Sequence, residues 1–284
     1  MKTMKKVFAL LLCMVMVALV FAGCSKSETA EEITSETLLV AYKESNANNA
    51  PFIYTDENGE LAGFDVELIE TIFKDIKNDF KNYQFIEVPD SYRVGEDAAY
   101  IDEDGNQYIA YIEVGGIAMD EGTVNEDYSM TESIIDNRVI AVTADSTIAN
   151  YTDLAGKKAA IVSDTAANAL EKFSALRDGF ASADVYDDAA SAIADLTAGK
   201  VDVIIIDEFN YCVAEGTDNL NVLESELDTV HYVYGFKKYD WYKDSVNTAI
   251  MELHDPEYNG SDDLTPLVEK YFGYDATNFT YDMK

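Results

Sequence analysis

Two rhythms of apolar residues alternate along this chain. Residues 37–42 (TLLVAY) form a short apolar run with Val and Tyr, which predicts a core strand. The polar, Asn-rich residues 43–50 predict a loop. Pro51-Phe52-Ile53-Tyr54 then leads to Asn58-Gly59, a tight-turn signal, and Leu61-Ala62-Gly63-Phe64 returns from it. From Asp65 the period changes. Val66, Leu68, Ile69, Ile72, Phe73 and Ile76 recur at helical spacing, with the Asp65 side chain placed to cap the free amides. A strand follows over 83–88. Two strand-like pieces, 98–102 and 107–114, flank Asp104-Gly105 and predict a hairpin.

The second half repeats the alternation with longer helices. A strand over 139–143 precedes an apolar entry at 154–162. A helix is predicted over 167–176, a strand over 184–186, and a helix over 189–198 stopped by Gly199. Residues 201–206 are almost continuously apolar, as in a parallel strand covered on both faces, and Asp207 ends the run. A helix follows over 207–215, then strands over 221–223 and 230–236, and helices over 241–253 and 264–272. Strands alternating with helices give an α/β class. No solenoid-length repeat is present.

The N-terminus has a different grammar. Lys2, Lys5 and Lys6 precede a nearly unbroken apolar run over 7–22, the layout of an export signal, and that run is short for a membrane span. Phe21-Ala22-Gly23-Cys24 resembles a bacterial lipobox, which implies lipid attachment at Cys24 and a membrane anchor. A transmembrane anchor or an ordinary cleaved signal is the alternative. Residues 25–36 (SKSETAEEITSE) are small, polar and acidic, and read as a tether.

Charge narrows the partners. Among 284 residues, 54 are acidic and 20 basic, for a formal net charge of -34. Such a surface repels phosphate backbones, so nucleic acid is excluded as a partner. Arginine, the usual bidentate partner of a carboxylate, occurs only at Arg93, Arg138 and Arg177. If Cys24 carries lipid and Cys13 lies in the export segment, Cys212 stands alone, and its apolar neighbours suggest a buried small residue. His231 and His254 belong to no Ser/His/Asp or metal constellation. No phosphate loop or G-x-G-x-x-G fingerprint is present, so no cofactor or metal is expected and no catalytic residue stands out.

Several stretches together resemble one family, the bacterial extracellular solute-binding proteins of family 3, which serve amino-acid ABC importers. They are Pro51-Phe52 followed by Gly63-Phe64-Asp65; residues 115–129, with Glu121 and the closing Asp127-Tyr128-Ser129; residues 154–162; the run 192–207 (AIADLTAGKVDVIIID); and Glu269-Lys270-Tyr271-Phe272-Gly273. The resemblance covers roughly 37–273, apart from the first loop and the hairpin region. It implies an α/β, two-lobe type 2 periplasmic-binding-protein-like fold with two hinge crossovers, near 135–143 and 230–236. The layout it implies is a signal peptide at 1–23, a tether at 24–36, lobe 1 from 37–136 plus 236–284, and lobe 2 from 137–235. The implied function is an extracytoplasmic, lipid-anchored binding protein without enzymatic activity. It would close on a small amino-acid-like or amine solute and pass it to an ABC permease with its ATPase.

The resemblance also assigns candidate ligand residues. Asp207 would accept the ligand ammonium, or else cap the helix that follows it; both roles are open. Thr165 would hold the ligand carboxylate, or act as a plain helix cap. Phe52 and Tyr42 are candidates for stacking on the ligand, with core packing as the alternative. The family's carboxylate-binding Arg is replaced by Gly122, and Met119 stands where a Thr is usual, which leaves Thr123 as a local contact. Arg93 is a candidate replacement, Arg138 is expected to pair locally, and Arg177 to be solvated beside Asp178. Two rival classes stay open: an enzyme such as a dehydratase or lyase on the same fold, and a sensory or interaction lipoprotein with a diverged cleft, which the missing Arg favours.

Overall fold

The first apolar run becomes β1 (Thr37–Lys43), whose residues Leu38 to Ala41 are all buried. The computed structural model describes residues 37–75, 80–92, 94, 100–101, 105, 107–119, 128–237 and 241–277. After β1 come the small hairpin of β2 (Tyr54–Thr55) and β3 (Leu61–Ala62), then α1 (Phe64–Asp75) and β4 (Asn82–Val88). β5 (Tyr100–Ile101) and β6 (Gln107–Tyr108) pair antiparallel, as the Asp104-Gly105 signal predicts. The second predicted piece divides, however: 107–108 stays in the hairpin, while β7 (Ile112–Ala118) joins the main sheet beside β1. β8 (Tyr128–Met130) and the long β9 (Ile135–Thr143) follow.

The next stretch holds β10 (Lys158–Val162), α2 (Asp164–Lys172), α3 (Ser174–Arg177), β11 (Ser182–Tyr186), α4 (Ala189–Thr197), β12 (Val203–Asp207), α5 (Glu208–Cys212) and β13 (Asn221–Val222). β14 (Asp228–Lys237), α6 (Trp241–His254), α7 (Pro256–Asn259) and α8 (Leu264–Phe272) complete the described chain. Among the described residues one sheet runs in the order β11-β10-β12-β9-β14-β7-β1-β4, with β13 added to β9 and β8 to β14.

β9 and β14 are the two crossovers. They pair antiparallel with each other from Asp228↔Val139 to Tyr232↔Ile135. Beyond that shared segment they part: β9 pairs with β12, and β14 with β7 and β8. The buried residues divide accordingly. One core joins Leu38, Val40, Ile112 and Val114 of the sheet to Phe64, Leu68 and Ile69 of α1, Val246 and Ile250 of α6, and Val268 of α8. Two others sandwich the far end of the sheet. Val203 and Ile205 face Ala159, Ile161 and Leu170, whereas Ile204 and Ile206 face Val162, Ile193 and Leu196. Successive side chains of a strand point to opposite faces, so a strand buried on both sides must be apolar throughout. Each such Ile stabilises the fold by about 1.5–3 kcal/mol.

Small polar contacts fix the region where the crossovers meet. His231 Nδ1 lies 2.7 Å from Asp136 Oδ1, across the strand pair. The Tyr274 hydroxyl donates to the Asp136 carbonyl at 3.1 Å, and the Asp136 amide to the Ala276 carbonyl at 2.9 Å. His231 is thus tied to the crossover pair, and His254 is held by Asp262 and Thr265. Cys212 corrects the sequence expectation of burial. It is exposed, at the last position of a short helix. Its thiol is nevertheless pushed up to about 11 by partial burial and by Glu208, which favours the protonated form near neutral pH.

Candidate functional site

The loop before α1 is pinned to the helix by backbone contact. The Phe64 amide donates to the Pro51 carbonyl and the Asp65 amide to the Phe52 carbonyl, both at 2.9 Å. Gly63 (φ +128°) makes this possible, since a Cβ there would run into the Phe52 carbonyl. Asp65 does not cap its own helix. Its carboxylate reaches across to β7, accepting from the amides of Gly115 (2.8 Å) and Gly116 (3.2 Å) and from the Tyr234 hydroxyl (2.9 Å). Burial pushes the Asp65 carboxyl up to about 6, against the opposing pull of these three hydrogen bonds. The Pro-Phe and Gly-Phe-Asp stretches therefore form one brace, and its product is the position of Phe52.

Phe52 forms part of an aromatic wall. Its ring centroid lies 4.6 Å from Tyr232 on β14 and 5.3 Å from Phe272 on α8. Phe209, from α5, reaches the same wall: it is 4.4 Å from Phe272 and stacks on Tyr232 at 5.8 Å. Beside this wall lies a cleft of about 410 Å³. Asn49, Phe52, Tyr271 and Phe272 line one side. Thr165, Asp207, Phe209 and Asn210 line the other, with Asn137 and Tyr232 of the crossovers between them. Burial, together with the nearby Asp207 carboxylate, raises the Tyr232 hydroxyl above its ordinary value.

Asp207 sits where β12 ends, buried to 1% exposure. Its Oδ1 accepts from Asn137 Nδ2 (3.1 Å) and the Asn210 amide (3.2 Å). Its Oδ2 accepts from Ser163 Oγ (2.5 Å) and Asn210 Nδ2 (2.8 Å). The capping alternative is thus realised, and Asp207 also lines the cleft. Thr165 lies in the first turn of α2, half-buried at the cleft. The cap of that helix is Ser163, whose φ of +82° turns the chain and whose hydroxyl accepts from the Ala166 amide.

No family model and no curated protein sequence matches the chain. Solved structures do. The chain is similar to a polar amino acid ABC uptake transporter substrate-binding protein from Streptococcus thermophilus at 20% identity, covering 86% of this chain and 88% of that one, with a TM-score of 0.61. It is similar to the L-cystine solute receptor of Neisseria gonorrhoeae, in its unliganded open conformation, at 21% identity, covering 85% and 94%, with a TM-score of 0.60. Substrate-binding domain 2 of GlnP from Lactococcus lactis, also open, follows at 18% identity, covering 86% and 98%, with a TM-score of 0.58. The fold is the two-lobe periplasmic-binding-protein-like fold. In this two-lobe fold, β9 and β14 are the hinge crossovers and the cleft opens between the lobes they join.

Of the residues singled out from the sequence, the two-lobe fold brings Asp207, Thr165 and Phe52 to the cleft. Tyr42 is not among the lining residues. It pairs in register with Glu87 on β4, its hydroxyl 3.5 Å from that carboxylate. Arg93, Thr123, Gly122 and Cys24 lie outside the described residues. Arg138 is held by Glu208 through two 2.7 Å contacts, and Arg177 by Glu171 and Asp178. Sequence reasoning passed over Asn49, Asn137, Phe209, Asn210, Tyr232 and Tyr271. Two signals were present. Phe209-Asn210 occupies the first turn after the strand-ending Asp207, and Tyr271-Phe272 sits inside the closing Glu-Lys-Tyr-Phe-Gly stretch.

Proposed function

We propose that this chain is the solute-binding lipoprotein of an ABC importer, which captures a small solute by hinge closure and presents it to a permease and its ATPase. The observation that carries this reading is the cleft. It is lined by side chains from both lobes, and the strands joining those lobes contribute Asn137 and Tyr232 to it. A ligand touching both walls favours the closed arrangement by the difference in its contacts between the two states. The export segment and Cys24 support delivery to, and anchoring at, the outer face of the cell membrane. The family resemblance points to an amino-acid-like or amine solute. The role is binding rather than turnover.

A thermal-shift screen of the full chain against amino acids, amines, dipeptides and neutral solutes tests it. A ligand at a hundred times its dissociation constant adds about 2.7 kcal/mol of stability. A binder that also reduces the radius of gyration in small-angle scattering supports capture by closure. Folded protein that answers to none of these solutes removes the basis of the importer role. Lipid labelling that persists in Cys24→Ser would remove the proposed anchor.

A further inference from the structure

We propose that the cleft selects an uncharged solute with one flat apolar face and hydrogen-bonding edges, the chemistry of a nucleoside or an aromatic amide. This rests on the solute-binding reading and departs from the amino-acid-like ligand that the family resemblance implies.

Charge is the first reason. Among the described residues lining the cleft there is no Lys, Arg or His. Arg138 follows cleft-lining Asn137 in sequence, but it is not among the lining residues, and its Nε and Nη2 are paired with the Glu208 carboxylate at 2.7 Å. A ligand carboxylate entering this site meets a buried aspartate, no counter-ion from these residues, and a chain of net charge -34. Burying an unpaired anion under those conditions is unfavourable.

The ammonium end of an amino acid fares little better. Asp207 is the cleft's one carboxylate among the described lining residues, and it already accepts four hydrogen bonds. A carboxylate offers roughly four lone-pair sites, so an incoming ammonium has to displace Asn137, Ser163 or Asn210 to bond directly. A quaternary ammonium avoids that displacement but needs several free ring faces converging on it. Here Phe52 and Phe272 are 4% and 1% exposed, spent on packing against their neighbours. The rings make a wall rather than a cage.

What the cleft does offer is neutral. Phe209, Tyr232 and Tyr271 are half-buried at the cleft. Phe209 and Tyr232 stack on each other, and Lys270, itself paired with Glu67, lies 4.8 Å over one side of the Tyr271 ring, so the apolar surface offered to a ligand is the part of these rings that those contacts leave. Asn49 uses its Nδ2 on the Gly115 carbonyl, and Asn210 uses its Nδ2 on Asp207, so the carboxamide oxygen of each is left for a ligand. The Thr165 hydroxyl adds a group that both donates and accepts. A volume of about 410 Å³ suits one small molecule with a ring.

Calorimetry on the purified full chain decides the matter. The uncharged probes are inosine, uridine and nicotinamide; the charged ones are L-glutamine, L-arginine, putrescine and choline. The expected result is that an uncharged probe binds and the charged ones bind more weakly. Its dissociation constant should change less than about twofold between low and high salt, because no counter-ion contact is made. Thr165→Ala and Asn210→Ala should each weaken it roughly 2- to 10-fold, the worth of one hydrogen bond. A charged probe that binds more tightly than every uncharged one overturns the ligand class and leaves the solute-binding role standing. So does an L-glutamine or L-arginine site that disappears in Arg93→Ala. If no probe of either kind binds, the solute-binding role fails, and the ligand class fails with it.

Discussion

Two buried aspartates divide the chemistry of this chain at the level of single residues. Asp207 is held by donors on every side, from Asn137, Ser163 and Asn210. Asp207→Asn replaces one acceptor oxygen with an amide that faces donors. Leaving buried donors unsatisfied costs about 1–3 kcal/mol each. The variant should therefore lose roughly that much in urea unfolding; unchanged stability with lost ligand affinity would instead make Asp207 chiefly a ligand group. Asp65 differs, because its folded carboxyl is raised to about 6 from an ordinary 3.8. In the interval between these values the native state holds a proton that the unfolded state has lost. Stability from this group is thus full below the unfolded value and declines as pH rises to about 6. Asp65→Asn removes that titration while keeping an oxygen for Gly115 and Gly116 and an amide for the Tyr234 oxygen. The stability difference between variant and parent should shift in the variant's favour by on the order of 2–3 kcal/mol between about pH 4 and pH 7. A pH-independent difference in paired denaturation curves would contradict the buried-carboxyl account.

Elements were legible where local pattern and tertiary fate agree. α8 (Leu264–Phe272) coincides with its predicted bounds, and β12 was visible as an apolar run because both its faces are covered. Asp65 was misread for the opposite reason. An Asp at a helix start is a local signal for capping, but its partners Gly115 and Gly116 are 50 and 51 residues away. The same distance problem hid the aromatic wall, which is assembled from a loop, α5, β14 and α8; no periodicity within one element marks it. Motif order was enough to point to Asp207, Thr165 and Phe52, which the fold sets at the cleft, whereas the pairing of Tyr42 with β4 leaves no mark in the local sequence. The end of β7 supplies an element-scale test. Gly116 has φ +71°, and a Cβ there would lie 2.6 Å from both Asn49 Nδ2 and the Phe52 ring. Gly116→Ala should combine backbone strain with displacement of the cleft wall, for a loss of about 1–3 kcal/mol. Heat denaturation and ligand calorimetry on the same sample check whether stability and affinity fall together, as the shared Phe52 contact requires.

The whole molecule carries an excess of 34 negative charges, and its folding should respond to salt as a consequence. Compacting like charges raises their mutual repulsion, and dissolved ions screen it over a distance that falls from about 10 Å at 0.1 M to about 3 Å at 1 M. Opposing this, salt also weakens the exposed ion pairs, such as Lys172 with Asp228 and Lys74 with Glu70. Pairs this exposed contribute little, and with only 20 basic residues to share, few can form. Repulsion therefore dominates, and the midpoint of thermal unfolding should rise steadily as sodium chloride increases from about 0.02 to about 0.5 M. The two lobes give this prediction a second reading. The proposed closure would bring two acidic halves together, so salt should also shift scattering profiles toward the compact arrangement. A midpoint that falls with salt would mean that pairs across the surface, Arg138–Glu208 among them, outweigh the net charge. The fold would then be held by its few cations rather than strained by its many anions.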